Sequence, residues 1–232
     1  MLSLSVQADE QAEEQFEERP ELVALKDSVW YYFDEGPADK FERTVEAYKA
    51  KALSLGAMHE YYLGWSNDII FQLNESNTFL AYKKALAMSR DMRERKVDED
   101  EYYMVSSMLG LIYSDCGNIE MARTSFMETI DLLSKSKYKE FVNSIYLDLA
   151  YIEIDTHPDE ARVSLKKALD AKGTDGDKAD AYAFKAVMDF KLRQNEDFPA
   201  SYKFYKKLEN EGHSSVYGKY LEIYHAAYQR DT

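Results

Sequence analysis

One cysteine, Cys116, is all that the 232-residue chain carries, which excludes an intramolecular disulfide and any cysteine-rich metal site. Glycine and proline are scarce, at 9 and 4 residues, so collagen-like repeats and long flexible linkers are excluded. The four histidines are His59, His157, His213 and His225, and no two are four apart, so no HExxH zinc helix is present. No apolar run approaches the roughly 18 residues that a membrane-spanning helix requires. Positive charge is short as well: 29 Lys and Arg against 43 Asp and Glu leave a formal charge of -14, which disfavours nucleic acid and direct membrane insertion. GxSxG, Walker A and GxGxxG are all missing, and with them the serine-hydrolase elbow and the usual phosphate cradles. Neither Asp98–Glu101 nor Asp175 with Asp177 supplies the ligand order of an EF-hand loop. No metal, no cofactor and no catalytic residue is expected.

What the chain has in quantity is apolar and aromatic side chains, 45% and 14%, the latter including 19 tyrosines. Apolar residues recur at three- and four-residue spacing, as in Phe41, Val45, Tyr48 and Ala52, or Phe126, Ile130 and Leu133. Sustained alternation at period two is absent, so an all-α chain is expected. Helix ends are marked at Gly36-Pro37, Gly56, Asn74 to Asn77, Gly117-Asn118, Pro158, Gly173 to Gly176, Pro199 and Gly212. These intervals cut the sequence into about eleven helices joined by tight turns.

Two domain assignments follow. Residues 1-19 read as a flexible acidic lead-in, with seven acids and one base between Asp9 and Glu21, a density that buries almost nothing. Within it, Met1 to Ala8 end in the small-x-small pattern of an export-signal remnant but lack a basic start. The compartment is periplasmic on that reading and cytoplasmic if the segment is an ordinary terminus. Residues 20-232 contain no linker-like stretch and read as one helical repeat domain.

The segment Leu109-Gly110-x-x-Tyr113, then Gly117-Asn118, then Ala122-x-x-x-Phe126 resembles the tetratricopeptide repeat (TPR). In that family a small residue on the first helix lets the second approach, an aromatic fills the gap and a glycine closes the turn. Weaker echoes place second-helix anchors at Tyr48, Tyr82, Phe126, Leu165 and Phe204, spaced 34, 44, 39 and 39. Ser106 and Ser134 stand where the family has tryptophan and proline. The resemblance implies a right-handed α-solenoid of about five helical hairpins, closed by a capping helix over Ser214 to Gln229. An irregular helical bundle is the alternative architecture.

By the same resemblance, first helices line a concave groove that takes a protein or peptide ligand. The positions facing it are Asn67, Ile70 and Phe71; Leu111, Ser114 and Asp115; Tyr151, Ile154 and Asp155; Val187, Phe190 and Lys191. Family members that grip a C-terminal carboxylate place several basic residues there. This chain offers Asn67, Met108 and Asp148 at such positions, so an acidic chaperone tail is not expected. Looser similarity to the TPR regions of bacterial sensor kinases and regulators implies a non-enzymatic sensory or docking module. The competing expectation is a structural protein that forms a homodimer through Tyr217, Tyr220, Tyr224 and Tyr228, which share one helical face. One basic run remains, Lys83, Lys84, Arg90, Arg93, Arg95 and Lys96 against two acids, which reads as a solvated helix face, or as a dock for an acidic partner or for the acidic lead-in.

Overall fold

A computed structural model describes residues 19–193 and 196–231. The acidic lead-in before Arg19, with the export-signal reading of residues 1–8, lies outside the described residues. Eleven α-helices occur among the described residues, and no strand. They are α1 Pro20–Glu35, α2 Ala38–Ser54, α3 Met58–Asn74, α4 Thr78–Arg95, α5 Tyr102–Asp115, α6 Ile119–Lys135, α7 Val142–Glu153, α8 Pro158–Asp170, α9 Asp175–Lys191, α10 Phe198–Asn210 and α11 Gly218–Asp231. Short 3-10 turns at Glu99–Glu101 and Lys139–Phe141 lead into α5 and α7.

Local chemistry sets these boundaries. Ahead of α9, the Thr174 hydroxyl accepts from the Asp177 amide at 3.2 Å while the Asp177 carboxylate accepts from the Thr174 amide at 2.7 Å. This capping box satisfies two amides that would otherwise lack partners. Asn118 caps α6 by accepting from the Met121 amide at 3.2 Å. Just before it, Gly117 adopts φ 71, a left-handed turn that costs a side-chain-bearing residue more. Pro158 and Pro199 sit in the first turns of α8 and α10, where a missing amide hydrogen is harmless.

The described residues divide into two compact units, one up to Glu75 and one from Ser76 onward. The Asn74 to Asn77 turn falls at the division. In the first unit, α2 packs on both α1 and α3. Phe41 and Phe71 stack at 4.0 Å, with Phe33 edge-on to both. Lys49 is 6% exposed and therefore needs compensation; Glu46 and Asp68 pair with it, and its ammonium lies 4.4 Å from the Trp65 ring centroid.

In the second unit, α5 with α6, α7 with α8, and α9 with α10 are the most closely packed pairs. Helices also touch at the next-but-one position: α5 meets α7, α7 meets α9 and α9 meets α11. Gly110 and Phe126 are in contact, and a Cβ at Gly110 would lie 2.5 Å from a ring carbon of Phe126. Buried charges tie successive helices together. Glu153, 1% exposed, accepts from Arg123 of α6 at 2.9 Å and from Ser164 of α8 at 3.0 Å. Asp189 of α9 accepts from Lys185 at 2.8 Å and Ser201 of α10 at 2.6 Å.

Burial reveals a common register along the even-numbered helices. Buried residues fall at the same four offsets in Phe41, Val45, Tyr48, Ala52 of α2; Ala81, Ala85, Met88, Met92 of α4; and Ala122, Phe126, Thr129, Leu133 of α6. Ala161, Leu165, Ala168 of α8 and Ser201, Tyr205, Leu208 of α10 follow the first three. Their starting positions are 40, 41, 39 and 40 residues apart. Three expected anchors are thereby corrected. On α2, Tyr48 is buried but stands in line with Thr129, and Val45 is the equivalent of Phe126. On α4 the buried face runs through Ala81 and Ala85, leaving Tyr82 half-buried and Leu86 exposed. On α10 it runs through Ser201 and Tyr205, leaving Phe204 exposed. In these last two helices an aromatic neighbour one residue away mimics the anchor, and packing selects the other.

Candidate recognition face on the odd-numbered helices

The next-but-one contacts bring one side of α5, α7, α9 and α11 together within the second unit. At the C-terminal ends of α7 and α9, the Lys191 ammonium donates to both oxygens of Asp155, at 2.7 and 3.0 Å. One turn earlier, Tyr151 is 54% exposed while its ring lies 6.0 Å from Phe184 and 6.2 Å from Tyr217. Phe184 is fully buried and closes on Tyr217 at 5.1 Å. Phe190 stacks on Tyr224 of α11 at 4.7 Å. On α5, Leu111 and Ser114 are half-buried, and the exposed Asp115 accepts from the Thr78 hydroxyl at the start of α4.

The expected lining residues therefore divide by accessibility. Leu111, Ser114, Asp115, Tyr151, Asp155, Phe190 and Lys191 reach solvent wholly or in part. Ile154 and Val187 are buried in the apolar cluster of α7 to α11. In the first unit, Phe71 is buried against Phe41, whereas Asn67 and Ile70 are half-buried on α3.

Deeper in the same face lies an arrangement with no local sequence signal. Asp148 of α7 and Asp180 of α9 are close enough to repel, and Tyr217 faces both. Burial, then the Asp180 charge, pushes the Asp148 carboxyl up to about 7. Burial also raises Asp180, against the opposing help of the Ser215 hydroxyl, which donates to it at 2.6 Å, and the Val216 amide. The Tyr217 phenol is pushed up by burial, then by Asp148 and Asp180. Beside these groups a small cleft is lined by Asn143, Ser144, Leu147, Ala168, Asp177, Asp180 and Ala181. The two acids are 32 residues apart, and only the α7 to α9 contact joins them.

Of the C-terminal tyrosines, Tyr217, Tyr224 and Tyr228 pack against the core cluster and Tyr220 is 58% exposed. Cys116 is exposed beside the Gly117 turn. Among the described residues no group of three or more His, Cys, Asp or Glu side chains is placed to hold a metal ion, and no helix is long and apolar enough to cross a membrane. Compared with models of known protein families, with curated proteins and with solved structures, the chain matches none.

Proposed function

We propose that residues 76–232 are a TPR-like stack of helical hairpins that binds a protein or peptide segment along its odd-numbered helices, without catalysis. The observation that carries this reading is the paired contact pattern. Each of α5, α7 and α9 packs on its even-numbered partner and also touches the next odd helix, so three first helices share one side. The 39- to 41-residue register exceeds the TPR period of about 34, and connections such as Lys96 to Glu101 and Ser136 to Phe141 accommodate the difference. Half-exposed Tyr151 and Leu111, flanked by Asp115, Asp155 and Lys191, give the face an aromatic centre and a polar edge, the composition that interfaces favour. A sensory or docking role in bacterial signalling fits such a face.

Capture of partners with the whole chain tests the proposal, repeated with Tyr151→Ala and with Leu111→Ser. Both side chains reach solvent, so loss of a captured partner with an unchanged circular dichroism spectrum supports the reading. Retention of every partner by both variants refutes it. Phe190→Ala is a poorer probe, because that ring also holds α11 through Tyr224.

Self-association is the second reading, and the exposure of Val216, Tyr220 and Ile223, at 72%, 58% and 65%, favours it. Those three, rather than the packed tyrosines, are the contact surface it requires. Sedimentation at several concentrations, with and without Tyr220→Ser, decides whether a dimer forms there.

A further inference from the structure

Helix α4 carries a second surface, unrelated to the odd-numbered helices. Its buried residues Ala81, Ala85, Met88 and Met92 occupy one side. At about 100° per residue, Phe79, Lys83, Leu86, Arg90 and Arg93 fall within an arc of about 80° on the opposite side. All five are exposed; Phe79 is 73% and Leu86 43% accessible. The Lys83 ammonium rests 4.8 Å from the Phe79 ring centroid. Arg95 is held by Asp91 at 2.9 Å, whereas Arg90 and Arg93 form no salt bridge among the described residues. The ridge therefore sets two apolar and three cationic groups in line over about 21 Å of helix. A merely solvated face has no use for an exposed phenylalanine and leucine in line with three cations.

We propose that this ridge is a docking surface whose partner is an acidic amphipathic helix of another polypeptide. Charge complementarity and shape argue for that occupant. A helix laid along α4 can place carboxylates opposite Lys83, Arg90 and Arg93 while its apolar residues, spaced three and four apart, cover Phe79 and Leu86. The formal charge of -14 distinguishes this partner from a membrane or a nucleic acid. An extended polyanionic surface meets the repulsion of the whole molecule, whereas a single helix on the ridge samples the field within about 8 Å, the screening length at physiological salt. The surface stands independently of the odd-helix reading and survives its failure.

The test is fluorescence anisotropy with the full chain and a labelled synthetic helix bearing Leu at three- and four-residue spacing and Glu elsewhere. A twin peptide with Gln for every Glu and phosphatidylglycerol vesicles serve as the other arms. The Glu peptide is expected to bind, to weaken with added salt, and to lose at least about tenfold in affinity to the Lys83→Glu, Arg90→Glu double variant. Phe79→Ser should weaken it without changing the salt dependence. Both variants alter exposed side chains, and circular dichroism checks that they fold. Equal binding of the Gln twin, indifference to the charge reversal, absence of binding by the Glu peptide, or stronger retention on vesicles overturns the proposal.

Discussion

Replacing Asp148 by asparagine should make the protein more stable in mildly alkaline solution and leave it almost unchanged only in acid below about pH 3.8, where the carboxyl is protonated in both states. Asp180 and Tyr217 face this carboxyl and Tyr151 lies one turn along its own helix, so burial and a like charge act on it together. In the folded chain it therefore holds its proton up to about pH 7, whereas in the unfolded chain it releases it near the ordinary 3.8. Between those values the folded state binds more protons, so stability falls as pH rises. The stabilisation is complete below the unfolded value and gone once pH has passed the folded one. Moving a carboxyl that far corresponds to about 4 kcal/mol, and about 2 to 4 once local relaxation is allowed. Asparagine keeps the shape and never ionises. Urea denaturation of both proteins at about pH 3.5 and about pH 8 should show near-equal free energies at the first, where the carboxyl is protonated in both states, and an advantage of about 2 to 4 kcal/mol for Asp148→Asn at the second. The same difference at both pH values would refute the reasoning, because it would mean that the carboxyl is solvated or paired.

Packing and capping give three further expectations. Phe126→Ala empties the fully buried seat against Gly110 and should cost about 3 to 5 kcal/mol in a urea melt, while Gly110→Ala forces a Cβ against that ring and should cost about 1 to 3. Thr174→Ala removes the capping box of α9 and should cost about 1 kcal/mol, seen as a lower Tm. Arg123→Ala leaves the buried Glu153 carboxylate with the Ser164 hydroxyl but without its paired cation and should cost about 1 to 3 kcal/mol in a urea melt at neutral pH.

Much of the helical layout is written locally. Three- and four-residue spacing gave the all-α reading, and glycine, proline and capping residues marked most ends. The turns at Lys96 to Asp98 and Ser136 to Tyr138 carry neither glycine nor proline, and Lys96 itself takes the left-handed conformation at φ 54 that glycine usually supplies. Repeat register was harder to read, because Tyr82 and Phe204 each sit next to the residue that is buried. Tyr82 outscores alanine in a sequence pattern and Phe204 is no weaker a candidate than Tyr205, while packing rewards the side chain that points inward. Once burial selects Val45, Ala85, Phe126, Leu165 and Tyr205 as equivalents, irregular spacing of 34 to 44 residues becomes a steady 39 to 41. On the odd-numbered helices the spacing shows which positions reach solvent, as at Tyr151 and Asp155. It does not show what long-range contact decides, such as the approach of Asp148 to Asp180 or the use of three C-terminal tyrosines to seat α11.

Site-specific photocrosslinking tests the odd-helix face most directly. Tyr151 on α7 and Val163 on α8 are comparably exposed, at 54% and 56%, so a benzoylphenylalanine placed at either position samples solvent equally. A partner polypeptide should be trapped from position 151 and not from position 163. Trapping from position 163 alone, or equally from both, would contradict the account.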